Sequence, residues 1–234
     1  FQHFKTVAEA VDIPILLYNV PPRTGGDMQV DTVVRLSQVK NIIGIKDASY
    51  DMARPTLTKL RAKKGFLQLS GEDASAMGFM AQGGDGCISV TANIAPRLCG
   101  DMHDAGKKRA LDKVFEIQDR LMPLHKAIFI EPGPAPVKYG AELIGQCSAK
   151  LRLPLVECTD ATKKQVRDAM AQTLGPDHPQ TLLTRNNLAA AYQTAGQVQQ
   201  AIEQYERVRD TQAKTLGADH ADTLLTLSNL AGAY

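Results

Sequence analysis

The sequence predicts an α/β fold with a parallel sheet, followed by an all-α segment built from helical repeats. Between Phe1 and Ser89, short apolar runs alternate with amphipathic stretches. Strands that alternate with helices about every 20 to 30 residues are typical of β-α-β units, whose strands run parallel. After Val90 only helical patterns continue. From Leu174 the chain repeats itself with a period of 42 residues, the separation of Leu174 from Leu216.

Four strands and four helices are predicted in the first part. The clearest strand ends at Lys46 and is apolar and β-branched up to that lysine, which predicts burial on both faces of the sheet. The predicted strands are Ile13–Tyr18, Ile42–Lys46, Phe66–Leu69 and Gly86–Val90, and the predicted helices are 1–11, 30–39, 54–63 and 74–82. The strand residues Ile13, Ile15, Leu17, Ile43 and Ile45 are expected to face helices or the interior of the sheet.

Helices without strands are predicted after Val90. Their periodicity places them at about 94–105, 107–128, 135–146 and 160–172. A loop rich in proline and glycine, from Glu131 to Pro136, interrupts them, because neither residue type favours a helix interior.

The last segment is a tandem repeat that resembles tetratricopeptide repeats of the kinesin light chain type. Asn187-Leu188-Ala189 returns as Asn229-Leu230-Ala231, and Tyr192 returns as Tyr234. The chain holds one full unit and half of the next, whereas about three units are needed for independent stability. A turn is predicted at residues 175–179. The expected core between the repeat helices is Leu182, Leu188, Ala189, Tyr192, Ile202 and Tyr205.

Composition excludes several classes of function. The net charge of +2 gives no reason to expect nucleic acid or a membrane surface as a partner. The four cysteines lie far apart, which predicts free thiols in the reducing cytoplasm, with neither disulfides nor zinc. His178 and His220 occupy equivalent turns of two repeats, so we predict no metal site.

Lys46 is the residue whose position most directly suggests chemistry. A lysine at the end of a buried parallel strand delivers its amine to the mouth of the sheet. When an amine there is desolvated and neutral, it can attack a carbonyl carbon and form a Schiff base. A lysine whose amine simply reaches solvent is the structural alternative.

Two further side chains follow the first predicted strand. Tyr18 closes that strand and Arg23 lies in the loop behind it, and the carboxyl ends of parallel strands meet at one edge of a sheet. A tyrosine there can move protons and an arginine can bind a carboxylate with its fork of donors. The alternatives are an aromatic cap on the core for Tyr18 and a solvated charge for Arg23.

Three motifs together resemble the dihydrodipicolinate synthase family of class I aldolases. They are Tyr18-Asn19-Val20-Pro21-Pro22-Arg23-Thr24-Gly25, Ile42-Ile43-Gly44-Ile45-Lys46-Asp47-Ala48 and Leu69-Ser70-Gly71-Glu72-Asp73-Ala74. The resemblance covers residues 1–173 and leaves 174–234 to the repeats. It implies an eight-stranded (β/α)8 TIM barrel, of which these residues supply the last four strands.

The resemblance also implies a reaction and a role for each site residue. The family condenses pyruvate, held as an imine on lysine, with aspartate semialdehyde in lysine biosynthesis, and it needs no cofactor. By this resemblance Lys46 is the Schiff-base residue and Tyr18 the proton shuttle. Arg23 is expected to meet the semialdehyde carboxylate, and Gly71 and Ile88 to line the pocket with backbone groups.

Four parallel strands alone cannot close a barrel of eight-strand radius. We therefore expect self-association through the open sheet, and a fragment or fusion with negligible turnover when these residues stand alone. Three alternatives stay open: a protein-interaction module that works through its repeats, another pyruvate-dependent aldolase such as N-acetylneuraminate lyase, and a rearranged reading frame without function.

Overall fold

The computed structural model describes residues 1–175 and 177–234. These form two compact units, Phe1–Gln118 and Asp119–Tyr234. The elements, in chain order, are α1 Gln2–Glu9, β1 Ile15–Asn19, α2 Pro21–Thr24, α3 Val30–Ser37, β2 Ile42–Asp47, α4 Arg54–Lys59, β3 Leu67–Ser70, α5 Ala76–Ala81, β4 Gly86–Cys87, a 3-10 turn at Thr91–Asn93, α6 Pro96–Lys107, α7 Leu111–Ala127, α8 Ala135–Leu143, α9 Asp160–Leu174, α10 Pro179–Thr194, α11 Val198–Thr215 and α12 Ala221–Ala233.

The first unit holds a four-stranded parallel sheet with strand order β1-β2-β3-β4. Each strand pairs with the next one along the chain, and helices connect them. The predicted α/β fold with parallel strands is confirmed. One irregularity lies at the start of β1, where the register shifts between Ile15 and Leu16.

The sheet has one face covered by helices and one face open to solvent. Leu17 and Ile45 lie on the covered face and are 1% and 2% exposed. They pack in a core with Val33 and Leu36 of α3. On the other face Leu16, Leu67 and Tyr18 are exposed. As predicted, Leu17, Ile45 and Ile15 pack on this core, whereas Ile13 precedes β1 and is exposed.

The fourth strand is shorter than the sequence predicts. It ends at Cys87 rather than Val90, because the chain beyond it turns toward the buried carboxylate of Asp73. The Ser89 hydroxyl and the Val90 amide both donate to that carboxylate. These bonds replace ladder bonds, so the strand ends early.

Helices and the loops that connect them make up the described residues of the second unit, which include no strand. Thr159 caps α9, since its side chain accepts a hydrogen bond from the Thr162 amide, and Val166 and Met170 are buried within the unit. No described helix of the chain is both long and apolar enough to span a bilayer.

The repeat helices α10, α11 and α12 pack around a small core. Ala189, Ala201, Tyr205, Leu230 and Ala233 form its buried part, with Tyr192 and Ile202 packed against it. Of the predicted core residues, Leu182 is also buried and Leu188 is half-buried. The predicted turn at 175–179 includes Pro176, which lies outside the described residues.

Candidate active site

Tyr18 and Lys46 lie side by side on neighbouring strands of the open face. They are partners in the register of β1 and β2. The Lys46 Nζ atom lies 4.3 Å from the centre of the Tyr18 ring, within the range of a cation–π contact. Tyr18 is 44% exposed. The amine is therefore oriented by an aromatic face while it stays accessible to a small molecule.

Gly71 provides the space in which the Lys46 side chain lies. Its amide donates to the Asp47 carbonyl at 2.7 Å, which fixes the start of the loop after β3. A Cβ atom at Gly71 would lie 3.2 Å from Lys46 Cε and 2.8 Å from the Ala48 Cβ. Both distances are shorter than comfortable contacts between carbon atoms, which begin near about 3.5 Å. Glycine is thus required for the observed path of the lysine stem.

Ile88 lies just beyond the end of β4, at the same edge of the sheet. Its amide donates to the Ser70 carbonyl at 2.9 Å, and its side chain is exposed. The loop that follows is held by Asp73, as described above. Lys46, Tyr18, Gly71 and Ile88 consequently share the edge formed by the carboxyl ends of the strands.

Arg23 lies apart from this group, on the short helix α2 that follows β1. Its side chain is exposed. Helix α2 ends at Gly25, whose φ of 67° is left-handed, a conformation that glycine adopts without strain. The predicted carboxylate-binding residue therefore lies on the short helix that follows β1.

A polar network beneath the site, buried at Asn19, Asp47 and Arg54 and exposed at Asp27, was not predicted from the sequence. It joins Asn19 of β1, Asp47 of β2, Asp27 of the loop after α2 and Arg54 of α4. Burial raises the pKa of Asp27, but hydrogen bonds from Asn19 and Arg54 outweigh that effect and leave the pKa below its usual value. Nothing in the spacing of these residues connects them, because they come from four separate segments.

The thiol of Cys87 lies close to the same edge. Burial raises its pKa to about 12, and the carboxylates of Asp73 and Glu72 add to the effect. A thiol with so high a pKa is a poor nucleophile at neutral pH. Lys46 is therefore a better candidate nucleophile than this cysteine.

Metal ligands are not clustered in the described residues. No group of three or more His, Cys, Asp or Glu side chains there is arranged to hold a metal ion. His220, which the repeat pattern places in a turn, caps α12 and accepts a hydrogen bond from the Asp222 amide at 3.3 Å.

Comparison with protein families matches two models to the chain. The dihydrodipicolinate synthetase family matches residues 1–173. A tetratricopeptide repeat model matches residues 161–214 and 187–234. The two matches overlap within helix α9.

Individual relatives agree with the first match. A 4-hydroxy-tetrahydrodipicolinate synthase of Parvibaculum lavamentivorans is 54% identical over 170 residues, which is 73% of this chain and 58% of the relative. The enzyme of that name from Rhodospirillum centenum is 50% identical over 173 residues, which is 74% of this chain and 60% of the relative. The chain thus spans about three fifths of the length of these curated relatives.

Solved structures show the same likeness. A dihydrodipicolinate synthase from Aquifex aeolicus aligns with a TM-score of 0.70 and 37% identity over 73% of this chain and 59% of that one. One from Thermotoga maritima aligns with a TM-score of 0.70 and 35% identity over 74% of this chain and 60% of that one.

Proposed function

The chain belongs to the dihydrodipicolinate synthetase family, and on that premise we propose that Lys46 is the Schiff-base residue of an aldolase that condenses pyruvate with aspartate semialdehyde. The observation that carries the proposal is the juxtaposition of the Lys46 amine with the ring of Tyr18, 4.3 Å away on the neighbouring strand. A lone lysine at a strand end would have no proton-transfer group beside it.

The chemistry begins with attack of the neutral Lys46 amine on the keto carbon of pyruvate. The resulting carbinolamine loses its hydroxyl as water and becomes an imine. Loss of a proton from the pyruvate methyl carbon gives an enamine, whose carbon attacks the aldehyde of the second substrate. The amino group of the semialdehyde then attacks the imine carbon and displaces the lysine, which restores the free amine. Two of these steps need a proton delivered to or taken from an oxygen atom.

Tyr18 is the proposed carrier of those protons. Its ring face, rather than its hydroxyl, meets the amine in this structure. Rotation about the flexible lysine side chain brings the amine from the ring face toward the hydroxyl without any movement of the strands. We therefore assign Tyr18 two roles, to orient the amine and then to exchange a proton with the carbinolamine oxygen.

The other site residues define the proposed substrate class. Arg23 offers a planar fork of donors that suits a carboxylate, and it lies on α2, the short helix that follows β1. Gly71 and Ile88 contribute backbone groups to the wall of the pocket. An aldehyde that carries a carboxylate fits this arrangement better than the neutral sugar aldehyde that a sialic-acid lyase would require.

We further propose that the 234 residues alone trap pyruvate slowly and turn over negligibly. They form a sheet of four strands whose inner face is open, and by resemblance the groups that hold the pyruvate carboxylate belong to the preceding strands of the barrel. Such positioning can supply about 7–11 kcal/mol of a reaction barrier. The open face also supports self-association, because large exposed apolar patches mark interfaces.

Borohydride reduction in the presence of pyruvate tests the proposal. The wild-type chain should gain one reduced pyruvate adduct, and Lys46→Ala should lose it. Lys64→Ala is the matched control, since Lys64 is an exposed lysine before the start of β3, away from the carboxyl ends of the strands. An adduct that persists in Lys46→Ala would contradict the site assignment. Rapid condensation by the 234 residues alone would contradict the claim about turnover.

The repeats support a second candidate function, the binding of a protein partner. Helices α10 and α12 border a cleft of about 200 Å³ with Leu183 and Leu225 exposed along it. These leucines are equivalent in the two repeats, so the apolar surface is repeated as well. Leu183→Asp and Leu225→Asp should abolish any specific binding of a partner protein to the chain, whereas Lys64→Ala should leave that binding unchanged. Equal capture by all variants would remove this function.

A further inference from the structure

Arg54 is a buried cation surrounded by carboxylates. It lies at the start of α4 and is 7% exposed. Its guanidinium donates to the Asp27 carboxylate and, at 3.1 Å, to the Met28 carbonyl. The same group lies 3.7 Å from the carboxylates of Asp47 and Asp51. Charged groups are rarely buried unless they are paired, and here one arginine compensates several acids.

Asn19 completes the connection between the strands. Its side-chain amide donates to Asp27 at 2.9 Å and to Asp47 at 3.4 Å. Its side-chain carbonyl accepts from the Met28 amide at 3.0 Å. The ends of β1 and β2 and the loop behind α2 are thereby joined through polar contacts that converge on Arg54.

The register of the strands relates this network to the candidate active site. Tyr18 pairs with Lys46, and the next residues, Asn19 and Asp47, pair in the same way. Successive side chains of a strand point to opposite faces. The network therefore holds the two strand ends from the helix-covered face, while the tyrosine and the lysine stand on the open face directly behind it.

We propose that Arg54 is a positioning residue for the Tyr18–Lys46 pair. It holds Tyr18 and Lys46 in their relative positions without touching the substrate. It does so by fixing Asp47 on β2 and by fixing the loop that contains Asp27 against β1. This inference rests on the proposed function, because it concerns the reactivity of the same lysine. The same contacts anchor the loop that follows α2, the short helix that carries Arg23, so Arg54 also connects the nucleophile to that segment.

The geometry of the guanidinium is essential to this role. Arg54 makes contacts in several directions at once, which the planar fork of an arginine allows and the single ammonium of a lysine does not. Removing it leaves Asp47, which is 9% exposed, without its nearest cation. A buried charge that loses its partner moves toward water. Asp47 would move in this way, and it is the residue next to Lys46 on β2.

The test compares three variants of the full 234-residue chain. Arg54→Ala removes the guanidinium, and Arg54→Lys keeps the charge but loses the fork. Arg61→Met is the matched control, because Arg61 forms an exposed ion pair with Asp31 at 2.7 Å on the same segment. Pyruvate trapping is measured at Lys46 by peptide mapping. Hydrogen exchange is measured at the amides of Ala48 and Gly71, which donate to the carbonyls of Asn19 and Asp47.

Arg54→Ala and Arg54→Lys should lower trapping at Lys46 by about tenfold or more, since small displacements of a reacting group are costly. Exchange at the two amides should increase while the remaining core amides stay protected. Free guanidinium ion at low concentration should restore part of the trapping in Arg54→Ala and none in Arg54→Lys. Arg61→Met should match the wild type in every measurement.

Two results would overturn the inference. Unchanged exchange at Ala48 and Gly71 would show that Arg54 does not hold the strand ends. Increased exchange with full trapping at Lys46 would show a role in stability alone. If the wild type itself traps no pyruvate at Lys46, the proposed function fails, and hydrogen exchange at Ala48 and Gly71 in the three variants still decides whether Arg54 holds the strand ends.

Discussion

Replacing Gly71 with alanine adds a single methyl group next to the candidate nucleophile. The new carbon would lie 2.8 Å from Ala48 Cβ, 3.2 Å from the Asp47 carbonyl oxygen and 3.2 Å from Lys46 Cε. Ala48 cannot move away easily, because it is buried and its amide donates to the Asn19 carbonyl at 2.8 Å. The lysine stem is flexible, so it is the group that gives way.

Two effects of Gly71→Ala are expected from these distances. Overpacking of a well-packed site costs about 1–3 kcal/mol, and the short contact with a fixed neighbour places this substitution within that range. Displacement of the Lys46 stem should also move the amine off the Tyr18 ring. Pyruvate trapping at Lys46 should therefore fall more than the loss of stability alone explains.

Urea unfolding and borohydride trapping measure the two effects separately. Gly86→Ala is the control, because a Cβ atom there would meet only Leu69 Cδ2, at an ordinary 3.5 Å. That control should change the free energy of unfolding by less than about 0.5 kcal/mol. If Gly71→Ala proves as stable as Gly86→Ala and traps pyruvate equally well, the reasoning about the packing of Lys46 is refuted.

Three further predictions concern stability and thiol chemistry. Tyr50 has a left-handed φ of 65°, so Tyr50→Gly should be more stable than Tyr50→Ala in urea by about 1 kcal/mol; equal midpoints would contradict this. Because burial raises the pKa of Cys87 to about 12 from 9.0, the folded chain keeps a proton that the unfolded chain releases. The free energy of unfolding should thus fall as pH rises above 9.0 toward 12, and Cys87→Ala should weaken that fall. Arg120 donates to the carbonyls of Thr173 at 2.6 Å and Leu174 at 2.8 Å at the end of α9. Arg120→Met should therefore destabilise the chain by about 1 kcal/mol, whereas Arg209→Met, at an exposed ion pair with Asp210, should have little effect; equal midpoints for the two variants would exclude the capping role.

The arrangement of the candidate site was predictable where it depends on strand ends. An apolar run that closes with Lys46 predicts a buried strand, and parallel strands bring their carboxyl ends to one edge. This reasoning suffices to place Tyr18, Lys46, Gly71 and Ile88 near one another. It does not give the register in which Tyr18 faces Lys46, because register depends on a shift between Ile15 and Leu16 that no residue pattern marks.

Contacts between distant polar residues were not predictable from the sequence. Arg54 would be assigned to an exposed helix surface on residue type alone, and only the fold shows that Asp27 and Asp47 surround it. The early end of β4 has the same origin, since Asp73 draws Ser89 and Val90 out of the ladder. Side-chain hydrogen bonds of this kind compete with strand pairing and depend on tertiary position.

Helix α9 shows how two kinds of segment share one element. Residues 161–173 are matched both by the dihydrodipicolinate synthetase family and by the repeat model. The boundary predicted at residue 174 rests on where the repeat motif begins and stays a prediction. Helix α9, in which Val166 and Met170 are buried, can end the first segment and begin the repeats because it contacts both α8 and α10.

The central claim is that Lys46, set beside Tyr18 on the open face of the sheet, is the reactive amine of this chain. The most direct measurement is the fraction of reduced pyruvate adduct found on each lysine peptide of the wild type and of Tyr18→Phe. The account predicts that most of the wild-type adduct lies on Lys46 and that Tyr18→Phe lowers this adduct without changing the background on Lys64. Adduct spread evenly over the exposed lysines of the wild type would contradict the claim.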